Sequence, residues 1–199
     1  MKMEKFPATP MKVVLLSLIC FLTCAATPLQ SREGLSARKN QPLVHASSLE
    51  KNIHLLINDE RRLHGLPLLG WSPELAGIAK NHSKDMSERK YFDHISPEGH
   101  NFLYRYKLAR YDCSVRVGRT IYMGAENIAL NYLYNSVTTM NGQAHYDWNS
   151  QDKIAEDIVE GWMKSPGHKR NILSPYFSHE GIGVSISPDD KIYITQNFC

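Results

Sequence analysis

The end of the chain carries the pattern that most restricts its fold. Segments 181–186 and 191–198 alternate apolar residues with others, as the strands of a β-hairpin do, and a Ser-Pro-Asp-Asp turn at 187–190 joins them. Helical patterns precede this hairpin without alternating with strands, and the sequence has no glycine-rich phosphate loop. This order predicts an α+β fold and argues against a doubly wound α/β fold.

Three longer segments place apolar residues at helical spacing, namely 47–63, 72–86 and 151–164. Ser47 and Glu50 form a capping-box pattern at the start of the first helix. Ser72 and Pro73 are typical of the start of the second. His82 falls on the apolar face of this second helix, which predicts a buried core histidine more readily than a ligand.

The connecting segments hold further candidate polar groups. A turn-rich stretch at 91–99 contains His94, and loop histidines placed by rigid flanking elements are frequent functional residues. Segment 102–113 predicts a short amphipathic helix, whereas 131–150 is polar and predicts an irregular surface insertion. Glu126 lies among small and apolar neighbours. It should be either paired or functional, because an unpaired buried carboxylate is costly.

Segment 162–173 predicts a corner between two helices. Ser165 occupies an N-cap position and Pro166 the first helical position. His168 then lies in the first turn, where the positive end of the helix dipole disfavours the imidazolium. A neutral imidazole binds metal ions or acts as a base. The alternative is a histidine that only caps and packs.

The N-terminal sequence predicts export. Residues 1–26 have the lysines and the apolar run of a signal peptide, 27–46 the composition of a linker, and 47–199 that of one folded domain. The apolar run is shorter than the roughly 20 residues of a membrane span, although an uncleaved anchor is the alternative. The net charge is only +3 and no basic stripe is present, which argues against nucleic acid as a partner. We expect a secreted or extracytoplasmic protein without a transmembrane segment after cleavage.

Two cysteines remain once the predicted signal peptide is removed, Cys113 and Cys199. An even pair in an exported protein predicts a disulfide. The alternatives are two free thiols or an intermolecular bridge.

The order of short motifs resembles the CAP superfamily, which includes cysteine-rich secretory proteins, venom allergens and plant pathogenesis-related proteins. The motifs are Asn-Asp-Glu-Arg-Arg at 58–62, Leu-Pro-Leu at 66–68, His-Ser-Lys-Asp-Met at 82–86, Phe-Asp-His-Ile-Ser-Pro at 92–97, Glu-Asn-Ile at 126–128, the segment 162–173, and Gln-Asn-Phe at 196–198. The last two resemble the short microbial, SCP-type branch. This resemblance implies a three-layer α-β-α sandwich around a small central antiparallel sheet. Its third strand should lie near 120–130, where the segment 120–123 is strand-like.

The family cleft carries two histidines and two acids. The resemblance places His94, Glu126 and His168 at three of these positions, while Ser165 stands where the second acid would be. Two imidazoles and a carboxylate suit zinc or another divalent metal, with His94 and His168 as ligands. The alternative is a hydrogen-bonded polar cluster in which Glu126 orients one imidazole.

The resemblance implies a protein that acts by binding a small apolar, lipid-like or sterol-like ligand, or a protein partner. A secreted hydrolase (a protease or a cell-envelope hydrolase) that uses His168, Glu126 and Ser165 is the alternative. Hydrolysis is disfavoured because the sequence lacks the Gly-x-Ser-x-Gly nucleophile elbow. A third possibility is an interaction module that uses the 131–150 insertion.

Overall fold

The computed structural model describes residues 40–199. The predicted signal peptide and most of the predicted linker lie outside these residues. The first helix begins at Ala46, the last residue of the predicted linker. Within 40–199, no helix is both long and apolar enough to cross a membrane.

The described chain contains five helices and eight strands in a mixed order. The helices are α1 (Ala46–Leu63), α2 (Pro73–Arg89), α3 (Phe102–Leu108), α4 (Gln151–Lys164) and α5 (Pro166–Ile172). The strands are β1 (Gly70–Trp71), β2 (Val115–Val117), β3 (Thr120–Tyr122), β4 (Ala125–Tyr132), β5 (Tyr134–Met140), β6 (Gln143–Trp148), β7 (His179–Ile186) and β8 (Lys191–Phe198).

A four-stranded sheet in the order β1-β7-β8-β4 forms the middle layer. The two-residue β1 runs parallel to β7, and the other pairings are antiparallel. Helix α2 packs on one face, whereas α1, α4 and α5 cover the other, where the main hydrophobic core lies. The predicted α+β class and three-layer sandwich are therefore confirmed.

Helix α2 packs so closely on the sheet that two positions of β7 have no room for a side chain. A Cβ atom at Gly181 would lie 2.0 Å from the backbone nitrogen of Ala76, and one at Gly183 would lie 2.0 Å from that of Lys80. Glycine is therefore required at both positions for this close approach. The approach sets the height of α2 above the sheet, and with it the position of His82.

The prediction for the third central strand was correct in region but wrong in detail. Strand β4 occupies this place and pairs with β8 along its whole length. The strand-like segment 120–123 instead forms β3, which pairs with β2 in a separate hairpin. Short apolar runs carry no information about which partner they pair with, so the sequence did not separate the two.

Segment 131–150 is not irregular as predicted, because most of it folds into the β5–β6 hairpin. Asn141 and Gly142 turn the chain with positive φ angles of 52° and 76°, as a two-residue hairpin turn requires. Rings of Tyr134, Tyr146 and Trp148 contact one another across the hairpin. Such aromatic pairs compensate for the low stability of a two-stranded sheet.

The capping box predicted at Ser47 is also wrong. The N-cap of α1 is His45, and the Glu50 carboxylate accepts a hydrogen bond from the backbone N–H of Val184 at 3.0 Å. Burial raises the pKa of Glu50. The Ser72 cap of α2 is confirmed, since its hydroxyl accepts from the backbone N–H of Leu75 at 3.2 Å.

The disulfide between Cys113 and Cys199 is confirmed, with a Cα–Cα distance of 5.6 Å. It closes a loop across 86 positions and ties the end of β8 to the segment between α3 and β2. A bridge of this kind stabilises a fold by about 2–4 kcal/mol.

Candidate functional site

The sequence-predicted residues come from segments that lie together at the β4 edge of the sheet. His94 comes from the loop between α2 and α3, Glu126 from the start of β4, and Ser165 and His168 from the α4–α5 corner. His94 Nδ1 lies 2.9 Å from Glu126 Oε1. The imidazoles of His94 and His168 are close enough for the charge of His94 to act on His168. We call the group formed by His94, Glu126 and His168 the cleft triad, after the family cleft in which the resemblance places these residues.

Glu126 is the buried centre of this group, with a fully covered side chain. Arg105 on α3 neutralises its charge through an Nη2–Oε2 contact of 2.6 Å. The same guanidinium donates to the backbone carbonyls of His94 and His100, at 3.1 and 2.9 Å. Arg105 therefore holds both the carboxylate and the loop that presents His94.

His168 lies in a setting that favours its neutral form. Burial lowers the pKa of His168, and the neighbouring charge of His94 lowers it further. Its ring lies 6.5 Å from that of Trp162, whose indole N–H donates to the Ile128 carbonyl at 3.0 Å. The sequence predicted a neutral imidazole from the helix dipole, whereas desolvation is the main cause.

Ser165 stands at the predicted N-cap position of α5, but its side chain makes no capping hydrogen bond. Between residues 40 and 199, its hydroxyl has no hydrogen bond to His168 or to any other group that would activate it. The Ser-His pairing of the hydrolase alternative therefore has no counterpart in this geometry.

His82 is the core histidine that its helix position predicted. It is 2% exposed, and its Nε2 lies 3.1 Å from the Asp93 carbonyl. Burial lowers the pKa of His82, although the nearby Glu126 carboxylate acts in the opposite direction. His82 supports the loop just before His94 and does not reach the cleft triad as a ligand.

The geometry gives little support to a metal centre. Among residues 40–199, no group of three or more His, Cys, Asp or Glu side chains is arranged to hold a metal ion. Both oxygens of Glu126 are engaged, one by His94 and one by Arg105. Two imidazoles remain, which is fewer than the three protein ligands that catalytic zinc sites use. The arrangement matches the hydrogen-bonded polar cluster better than the zinc site.

Two asparagines that lie in the quoted motifs but were given no role from the sequence attach α5 to β4. Asn171 Nδ2 donates to the Glu126 carbonyl at 3.3 Å and to Asn127 Oδ1 at 2.8 Å. Asn127 Nδ2 donates in turn to the His168 carbonyl at 3.3 Å. The backbones of Glu126 and His168 are thus joined through amide side chains. The sequence predicted that Glu126 is either paired or functional, but it did not identify Arg105 as its partner.

Comparison with known proteins confirms the family resemblance drawn from the order of the motifs. The model of the cysteine-rich secretory protein (CAP) family matches residues 55–198. Two uncharacterized Bacillus subtilis proteins are each 34% identical to this chain. One, the membrane protein YlbC, aligns over 75% of this chain and 34% of its own length, and the other, YkwD, over 69% and 42%. The chain therefore spans well under half of the curated relatives it matches.

A solved structure shares both sequence and fold with this chain. It is an extracellular protein containing an SCP domain from Bacillus anthracis, with 28% identity and a TM-score of 0.56. The superposition covers 79% of this chain and 44% of that protein. The shared fold therefore occurs as part of an extracellular bacterial protein.

Proposed function

This chain belongs to the cysteine-rich secretory protein (CAP) family, and we propose that it is an exported protein that acts by binding through its cleft triad. The observation that carries the proposal is the His94–Glu126–Arg105 arrangement. A buried, neutralised carboxylate orients an imidazole that is 47% exposed. Such an imidazole is held in one direction and remains accessible to a ligand.

The chemistry around His94 favours a ligand with both polar and apolar parts. Phe92 and Ile95, which flank His94 in the same loop, are both exposed. Small-molecule sites combine apolar side chains with a few fixed polar groups. We therefore propose a ligand with an apolar body and a hydrogen-bonding group, such as a sterol or a fatty acid.

Fluorescence titration with dehydroergosterol and with a labelled fatty acid tests this proposal. Binding of at least one probe should weaken in His94→Ala and in His168→Ala. The matched control is His64→Ala, which changes a histidine at the C-terminal end of α1 and should bind as the wild type does. If neither probe binds, or if all three variants lose binding equally, the proposed function is wrong.

Zinc calorimetry separates the polar cluster from a metal site. We expect the heat of zinc binding to be unchanged by His94→Ala, because Glu126 is already saturated by its two partners. One site that is lost in both His94→Ala and His168→Ala would establish the metal alternative.

The β5–β6 hairpin offers a second candidate function, a protein-binding surface. Val137 and Met140 are exposed large apolar side chains on this hairpin. The backbone N–H of Asn149 donates to the carbonyl of Leu133 at 2.9 Å, so a short Gly-Ser turn can replace residues 134–148. This deletion should leave probe binding unchanged, and loss of binding to a partner would assign that function to the hairpin.

A further inference from the structure

Three fully buried polar side chains cross the sheet on the face that packs against α1, α4 and α5. They are Glu180 on β7, Gln196 on β8 and Asn127 on β4, and each is 0% exposed. Asn127 lies directly opposite Gln196, and Gln196 lies opposite Ile182, two residues from Glu180. Side chains at these register positions share one face and are within reach of one another. They form a continuous polar row on a sheet face whose other buried side chains are apolar.

The hydrogen bonds of this row all run in one direction. The Glu180 carboxylate accepts from Gln196 Nε2 at 2.5 Å, and Gln196 Oε1 accepts from Asn127 Nδ2 at 2.9 Å. Asn127 Oδ1 then accepts from Asn171 Nδ2 at 2.8 Å. A carboxylate can only accept, so Glu180 fixes which end of each amide faces its neighbour.

The other side of Glu180 is fixed as well. His54 Nδ1 lies 2.6 Å from Glu180 Oε1, and His54 Nε2 lies 3.3 Å from Asn58 Nδ2. The Asn58 amide cannot turn over, because it bonds both the N–H and the carbonyl of Leu69, at 2.8 and 3.0 Å. His54 must therefore accept from Asn58 at Nε2 and donate to Glu180 from Nδ1. The hydrogen bonds at this end of the row can therefore run in one direction only.

The opposite end of the row reaches the cleft. Asn127 also donates to the His168 carbonyl, and Asn171 also donates to the Glu126 carbonyl. We propose that Glu180 is a positioning residue for the cleft triad: through Gln196 and Asn127 it holds α5, and with it His168, against the strand that carries Glu126. The proposal rests on the binding function given above, but its structural part is tested without any ligand.

The test is the substitution Glu180→Gln. The new amide group must face either Gln196 Nε2 or His54 Nδ1, and both are donors in the wild type. Two facing donors form no hydrogen bond, so the row must turn over or break. We expect the ¹H–¹⁵N signals of the His168 imidazole and of the Asn127 and Asn171 side-chain amides to shift at pH 7. Probe binding should weaken by about tenfold, the effect of one misdirected buried hydrogen bond.

The double variant Glu180→Gln/Gln196→Glu is the decisive control. The amide introduced at position 180 can then accept from His54 and donate to the carboxylate introduced at position 196, which in turn accepts from Asn127. Every donor again faces an acceptor, although the carboxylate has moved by one strand. The His168, Asn127 and Asn171 signals should return towards their wild-type positions, and probe binding should recover. A role limited to general packing predicts no such rescue.

Asn171→Ala gives a second route if Glu180→Gln does not fold, because Asn171 is only half-buried. It should shift the His168 imidazole signal and leave that of His54 unchanged. Unshifted cleft signals in Glu180→Gln or Asn171→Ala, or a double variant that shows no recovery, would overturn the positioning role. If the signals behave as expected but the wild type binds neither probe, the proposed function fails and the positioning role stands.

Discussion

The protein contains two histidine–glutamate pairs near opposite edges of one sheet, and they have different surroundings. In both, a fully buried carboxylate bonds a histidine Nδ1, at 2.9 Å for His94–Glu126 and 2.6 Å for His54–Glu180. His94 is 47% exposed and its Nε2 has no hydrogen bond to any residue in 40–199, whereas His54 is 19% exposed and its Nε2 faces Asn58. The first imidazole is open to a ligand, and the second is fully used by the fold.

The two glutamates also differ in the partner of their second carboxylate oxygen. Arg105 supplies a full positive charge to Glu126, whereas Gln196 supplies a neutral amide donor to Glu180. Removing the cationic partner of a buried charge lowers the free energy of unfolding strongly. Removing one neutral donor from a buried carboxylate lowers it less. Identical residue types thus leave an imidazole exposed in one place and support the architecture in the other, and the difference lies in their partners.

Arg105→Met should have the largest effect on stability, because it removes the cation from the fully buried Glu126. We expect the free energy of unfolding at pH 7 to fall by about 3–5 kcal/mol, the usual result of breaking a buried ion pair from one side. Urea denaturation measures this change.

The control for Arg105→Met is Arg89→Met, which breaks the exposed pair of Arg89 with Glu98. Little change is expected there, since exposed ion pairs contribute little. Equal losses in the two variants would show that Glu126 is not held as a buried charge.

The same contrast explains which features could be predicted from the sequence and which could not. Helix and strand patterns predicted the layers, and motif order predicted His94, Glu126 and His168, because these signals are local or follow chain order. Arg105 and Asn127 were missed because their partners lie 21 and 69 positions away, and nothing in the local pattern specifies them. The β5–β6 hairpin was predicted as irregular because its cross-strand rings compensate for polar strands only after the strands pair.

His54→Ala should have the next largest effect. It leaves the buried Glu180 without the donor at Oε1, and Asn58 without an acceptor for one N–H. The expected loss in free energy of unfolding is about 1–3 kcal/mol. His94→Ala is the paired measurement and should cost less than about 1 kcal/mol, because Glu126 keeps Arg105 and the imidazole is half-exposed. Urea denaturation of both variants at pH 7 tests the comparison, and a larger loss in His94→Ala would reverse the roles assigned to the two pairs.

The smallest expected effect is a loss of stability on mild acidification that originates beside the β4 edge. Burial is the first cause of the lowered pKa of both His82 and His168. In the unfolded chain, histidine titrates near 6.5. As the pH falls below about 6.5, the unfolded chain takes up protons that the folded protein does not. The free energy of unfolding therefore falls until the lowered pKa values are reached, and it recovers above about 6.5.

Substitution at His82 isolates this contribution from the other titrating groups. His82→Gln retains an N–H that can donate to the Asp93 carbonyl but cannot take up a proton. Its urea midpoint should change less between pH 7.5 and 5.5 than that of the wild type, whereas the exposed control His64→Gln should keep the wild-type slope. An unchanged slope in His82→Gln would mean that the folded protein binds a proton at His82 as readily as the unfolded chain does. The neutral, buried imidazole that supports the His94 loop would then be excluded, and any acid sensitivity beside the β4 edge would have to come from His168.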